Sequence, residues 1–257
     1  MGGPDKTEMS DYNVNVVSLP VFGCEKIEDY PKFLGGTAFG IGPDVFVSAS
    51  HVAKAALQYP VPCIGFLAQG PDSPEHRIWA KAPIEDAETH DDLDLALLKC
   101  RGRPYAVLPW RVKRLNLLDP VISGGFPYGH DPENLRLFSR MYSGHVSAHY
   151  PFLEFKAKPD VYELSFSAPR GLSGAPLMIL VPGGSPEVVG YVFGNGKSSM
   201  LVASDAEVVR EGNKETIVER YESLSYGLAV SSYSVLDVHS NLLKTTIGGI
   251  LGSIAKK

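Results

Sequence analysis

Glycine and proline are spread along the whole chain, 26 of one and 20 of the other in 257 residues. Both interrupt regular helices, and what lies between them is short. The intervening runs are apolar or alternate apolar with polar residues, the two-residue period of strands. Six fall at 14–19, 37–41, 45–48, 63–67, 78–82 and 95–99, and six more at 121–125, 141–149, 162–167, 175–180, 188–193 and 225–230. Six and six predict an all-β fold of two similar barrels, one over residues 12–113 and one over 114–257.

Three segments depart from this rhythm. The stretch from Cys100 to Pro120, with its prolines and the basic run Arg111 to Arg114, suits a connector between lobes. The stretch 197–221 is rich in charge and interrupts the second set of strands, as a loop or a short surface helix. From about residue 232, Val235, Val238, Leu242, Ile247, Ile250, Leu251 and Ile254 recur at three- to four-residue intervals and predict a C-terminal amphipathic helix. Either the charged stretch or that helix is a place for a regulatory partner.

Composition excludes several functions. With 44% hydrophobic and 21% charged residues the chain is that of a soluble protein with a sizeable core. A net charge of -5 and a pI near 5.8, with no basic run interleaved with aromatics, argue against a nucleic-acid partner. No 18-residue apolar stretch and no cationic, apolar leader occur, so neither an integral membrane segment nor export is expected. Cys24, Cys63 and Cys100 are odd in number and widely spaced, which fits free thiols and a cytoplasmic location. His145 and His149 have a spacing that suits a metal site on a helix, but in a strand they lie about 13 Å apart. No metal and no cofactor are expected.

The chemistry is concentrated in GLSGAP, Gly171 to Pro176. Two glycines around one serine allow a tight turn that presents a hydroxyl, and Ser173 is either a turn residue or a nucleophile. A nucleophilic serine requires a base and a carboxylate that orients the base. His51 stands just past the strand that ends SASHV. Asp94, with Asp91 and Asp92 as alternatives, stands just before the apolar run LALLK.

The motifs GTAFGI, SASHV, DLALLK and GLSGAP, in this order on a two-barrel strand pattern, resemble the chymotrypsin-like (trypsin-like) serine peptidases. Gly124 to Gly129 (GGFPYG) and Tyr226 to Val230 (YGLAV) extend the resemblance, which covers roughly 14–239 and is nearest to intracellular bacterial members without a signal peptide. It implies two six-stranded antiparallel β-barrels and cleavage of peptide bonds in a peptide or protein substrate through an acyl-enzyme. It assigns Ser173 as nucleophile, His51 as general base then acid, Asp94 as the orienting carboxylate, and the N–H groups of Gly171 and Ser173 as the oxyanion hole. Asp94 is preferred over its neighbours because the aspartate of the family directly precedes such a strand.

The departures carry information too. Leu172 stands where secreted members hold an aspartate for a newly cut N-terminus, and the cysteine usual near the histidine is missing. Ser167, six residues before the nucleophile, falls at the base of the primary specificity pocket and carries no charge. Arg170 falls at its mouth, where a guanidinium favours acidic groups. Val192, Phe193, Gly194, Asn195 and Gly227 are expected along the pocket walls, with the glycines and Asn195 leaving space. Two rival readings remain in view: a catalytically inactive binding module on the same fold, and a peptidase that is the effector of a larger signalling or defence assembly.

Overall fold

In the computed structural model, which describes residues 17–69, 77–102, 104, 106–127, 130–131, 136–203, 209–211, 214–216 and 220–254, twelve strands close two barrels. The first comprises β1 (Ser18–Cys24), β2 (Phe33–Gly40), β3 (Val45–Ala49), β4 (Val61–Gln69), β5 (Arg77–His90) and β6 (Leu95–Cys100), ordered 1-2-3-6-5-4. The second comprises β7 (Pro120–Gly125), β8 (Arg140–Pro151), β9 (Asp160–Leu164), β10 (Pro176–Ile179), β11 (Glu187–Ala203) and β12 (Arg220–Ser231), ordered 7-8-9-12-11-10. Neighbouring strands are antiparallel throughout both barrels.

Side-chain alternation along β3 and β6 explains how the barrels meet. Phe46, Ala96 and Leu98 point into the first barrel, while Val45, Val47, Leu95 and Leu97 join a cluster shared with Val161, Val188, Tyr191, Phe193 and Val230 of the second. Both strands are therefore buried on two faces, which is why they read as continuous apolar runs. Truncating one such residue, Leu97 for example, to alanine removes about 2–5 kcal/mol.

Several boundaries differ from expectation. The run predicted at 14–19 becomes β1, which starts at Ser18 and reaches Cys24; residues before 17 lie outside the described ones. The charged stretch is neither loop nor helix along its described backbone: β11 and β12 continue past the barrel as a hairpin arm, paired as far as Ala203 with Arg220, and 209–211 pairs with 214–216. Charge repels burial but not strand pairing, so a hairpin accommodates it.

The C-terminal segment is not one long helix. A 3-10 turn (Ser232–Ser234) and a short pair (His239–Ser240 with Thr245–Thr246) precede the helix, which occupies only Ile247–Ile254. Its apolar residues still face the core: Val235 and Ile247 are buried in the inter-barrel cluster, and Val238, Leu242, Ile250 and Leu251 pack against it. The break has a cause in Glu88 on β5. Its carboxylate accepts from the Ser240 hydroxyl at 2.6 Å and from the N–H groups of Leu242 (3.0 Å) and Asn241 (3.2 Å). Those bonds take amides that a continuous helix would use. Burial pushes the Glu88 carboxyl up, but the three donors and nearby His90 outweigh it and hold the group below its ordinary range.

Candidate active site

The chain leaves β3 directly into helix α1 (Ser50–Ala56), whose Val52, Ala53 and Ala56 pack on the first barrel. This puts His51 in the first turn, half exposed, at the edge of the barrel. Asp94 meets it from the turn before β6. Oδ2 of Asp94 lies 2.7 Å from His51 Nδ1, Oδ1 accepts the His51 main-chain N–H at 2.9 Å, and the Asp94 carbonyl accepts from Ser50 N–H at 2.9 Å. One carboxylate thus caps the helix and orients the ring it carries. Asp94 adopts a φ of 49°, rare for a residue with a side chain. Asp91 faces elsewhere, accepting from Ser50 Oγ at 2.6 Å and from Lys54 Nζ, and those bonds hold its carboxyl below the ordinary range.

A residue of the second barrel supports that turn. Tyr191 is fully buried and donates its hydroxyl to the Leu93 carbonyl at 2.6 Å. Burial, together with Asp94 and Asp92, pushes this hydroxyl well above its ordinary value, so it remains a donor.

Ser173 sits in a turn built almost entirely of main chain. Gly171 (φ 102°) and Gly174 (φ 83°) both occupy the left-handed region. A Cβ on Gly171 would meet the Phe126 carbonyl oxygen at 2.5 Å, and one on Gly174 the Thr37 carbonyl oxygen at 2.1 Å. Side chains are excluded twice, by dihedral and by space. Leu172 N–H donates to the Pro169 carbonyl at 2.9 Å, and with Gly171 in the third position this is the geometry of a type II turn. Leu172 itself is fully buried in the core of the second barrel, in the same cluster as Leu164, Ala168, Ala175 and Val192.

Thr37 on β2 holds the turn from the first barrel. Its N–H donates to the Ser173 carbonyl and its hydroxyl to the Gly171 carbonyl, each at 2.9 Å, while the hydroxyl accepts from Phe126 N–H at 3.3 Å. Gly174 N–H donates to the Val192 carbonyl at 2.7 Å and Ala175 N–H to the Leu172 carbonyl at 3.0 Å. With these bonds made, the N–H groups of Gly171 and Ser173 have no acceptor among the described residues. The Ser173 hydroxyl donates to the Phe193 carbonyl at 3.3 Å.

The segment from Ser167 to Gly171 and the strand from Val192 to Gly196 flank Ser173 as two walls. Val192 is buried, and Phe193 packs its ring against Phe152 and Phe155, with centroids 5.3 and 5.2 Å away. Space beside Gly194 is open, as expected. Gly227 and Asn195 differ from expectation. A Cβ on Gly227 would meet the Phe166 carbonyl oxygen at 2.8 Å and Ala168 Cβ at 3.4 Å, so this glycine permits close approach rather than leaving room. The Asn195 side chain crosses to the opposite wall, accepting from Ala168 N–H and donating to the Ala168 carbonyl, both at 2.6 Å. Ser167 is exposed and donates to the Ser225 carbonyl at 2.7 Å, and Arg170 is exposed.

Thr37, Tyr191 and the Asn195 bridge are absent from the sequence reading. Only Thr37 had a signal there, as part of GTAFGI. Among the described residues no group of three or more His, Cys, Asp or Glu side chains is placed to hold a metal ion, and no helix is long and apolar enough to cross a membrane.

The model of the trypsin-like peptidase domain matches residues 36–179, more than half of the chain. No curated protein sequence matches. Among solved structures, the inactive form of Rv3671c from M. tuberculosis H37Rv, a serine-to-alanine mutant, superposes with a TM-score of 0.53 at 16% identity, covering 100% of this chain and 97% of that one. The active form of the same protease gives 0.53 at 17% identity over 91% and 85%. The protease domain of MamO from Magnetospirillum magneticum gives 0.52 at 14% identity over 89% and 99%. At such identities these likenesses speak for the fold.

Proposed function

The chain belongs to the trypsin-like peptidase domain family and is a serine endopeptidase, and from that premise we propose that it cuts its peptide or protein substrate through Ser173, His51 and Asp94 by way of an acyl-enzyme. The observation that carries this reading is the grip of Asp94 on His51: with Nδ1 held at 2.7 Å by one carboxylate oxygen and the main chain by the other, Nε2 is left to take a proton. The hydroxyl of Ser173 turns from the Phe193 carbonyl toward His51 and attacks the scissile carbonyl carbon as its proton passes to Nε2. The oxyanion takes the unengaged N–H groups of Gly171 and Ser173, each worth about 3 kcal/mol in the transition state. Collapse expels the amine, which takes the proton from His51. Water then repeats the sequence on the Ser173 ester and frees the acid.

The three thiols, all free and buried, suit a reducing compartment such as the cytoplasm. A regulatory partner would act most directly on the β11–β12 arm, whose first strand runs on from the wall beside Ser173. The C-terminal helix is a weaker candidate, since Ile247, Ile250 and Leu251 are engaged with the core.

A fluorophosphonate together with a diverse peptide library tests the reading. Labelling mapped to Ser173, with peptide cleavage that the reagent abolishes, is the expected outcome. Cleavage that persists in Ser173→Ala, or an unlabelled Ser173 without cleavage, overturns it.

A further inference from the structure

A substrate side chain that precedes the cut must enter between the two walls flanking Ser173, because its own carbonyl carbon is bonded to Oγ there. That slot is crossed. Asn195, two residues beyond the carbonyl that the Ser173 hydroxyl touches, reaches Ala168, five residues before Ser173, with both its amide oxygen and its amide nitrogen. A single amide that donates to and accepts from one residue forms a closed pair, and both bonds are short at 2.6 Å. One exposed side chain and its two bonds thus span the gap between the walls. On β12, the strand paired with Asn195, Gly227 leaves little room beside the same residue: the place of its missing Cβ is 3.4 Å from Ala168 Cβ and 2.8 Å from the Phe166 carbonyl oxygen. Ser167 brings no charge to this wall, and its hydroxyl is engaged by the Ser225 carbonyl.

We propose that Asn195 shuts the slot beside the nucleophile and restricts the enzyme to substrates with glycine, alanine or serine before the cut. The proposal rests on the peptidase reading and adds the substrate class to it. A larger side chain must either break both bonds, leaving the partly buried Ala168 amide and carbonyl without partners, or stay outside the slot and lose its burial. Selection therefore works by exclusion rather than by attraction, and a hydrophobic slot of ordinary width separates such residues far less sharply.

The experiment profiles wild type, Asn195→Gly and Asn195→Ala on peptides that differ only in the residue before the cut, with active sites counted by fluorophosphonate labelling of Ser173. Wild type is expected to cut after Gly, Ala and Ser. In Asn195→Gly the ratio of kcat/KM for Leu or Phe to that for Ala is expected to rise at least tenfold, and in Asn195→Ala to rise by less, because a Cβ remains. A bridge that only stiffens the fold would lower thermal stability and leave this ratio unchanged. Labelled enzyme that cuts after large residues as readily as after Ala, or an unchanged ratio in both variants, overturns the proposal and leaves the peptidase reading standing. A wild type that neither labels nor cuts removes both.

Discussion

In the first barrel the groups proposed to carry the chemistry are side chains: the imidazole of His51 and the carboxylate of Asp94, joined at 2.7 Å. In the second they are mostly main chain, a type II turn that offers two N–H groups and one hydroxyl. The two barrels share one strand order, so the difference lies in what their loops were built to present. A side-chain device depends on residue identity at two places. A main-chain device depends on dihedrals and on what grips the carbonyls, and for Gly171 and Ser173 the grip comes from the other barrel, through Thr37. The two halves fail in different ways when changed, and each of the following variants separates them.

Ser173→Ala removes the one side chain on which the main-chain half depends. Turnover is expected to fall by at least about 10⁴-fold, with the melting temperature almost unmoved, since a half-buried turn hydroxyl with one long hydrogen bond contributes little to stability. A wild-type rate in this variant would dissolve the comparison altogether. Asp94→Asn tests the other half. It keeps the shape but favours the wrong tautomer of His51, and a loss of about 10⁴-fold in kcat is expected. Unchanged kcat would mean that the helix cap, and not the ring, is what Asp94 serves.

Thr37→Val sharpens the contrast, since Thr37 touches neither substrate nor base. Loss of its hydroxyl leaves the buried Gly171 carbonyl and Phe126 N–H unpaired and lets the Gly171–Leu172 peptide rotate. A fall of about 10- to 100-fold in kcat with KM nearly constant is expected, alongside about 1–3 kcal/mol of lost stability, and Thr37→Ser should restore kcat. Equal loss in kcat and in folded fraction, with no separate effect per active site, would make Thr37 a purely structural residue.

The smallest effect is predicted at a residue that belongs to neither device. Glu88→Gln weakens the clasp on 240–242 and should lower the melting temperature by a few degrees with no change in kcat. Because the Glu88 carboxyl is held below its ordinary range in the folded state, its contribution is fully present above about pH 4.3 and is lost as the pH falls through the lowered folded value. The difference between wild type and variant should therefore close in acid. A difference that stays constant down to pH 2 would show that the charge is irrelevant to the clasp.

Sequence made the strands legible wherever burial dictates apolar residues, as in β3 and β6, and it named His51, Asp94 and Ser173 because each lies beside a strand end or between glycines. It left Asp91 and Asp92 as alternatives, since a run of acids has no internal sign of which one meets the histidine; in the structure Asp94 does, at 2.7 Å. The arm on β11 and β12 was hidden by its charge, which says nothing about strand pairing. Thr37, Tyr191 and Asn195 act through bonds to main-chain atoms 134, 98 and 27 residues away. Main-chain partners have no residue identity to read, so the expectation that Asn195 leaves space could not be corrected from the sequence.

Leu172 gives the turn at Ser173 a property that an ionic latch would not. Its side chain belongs to the interior of the second barrel, so the turn takes shape when that barrel packs and comes apart when it unpacks. Nothing in that burial depends on a proteolytic cut or on salt. Catalytic competence and cooperative unfolding should then trace a single curve against denaturant, the enzyme being switched on by the act of folding itself.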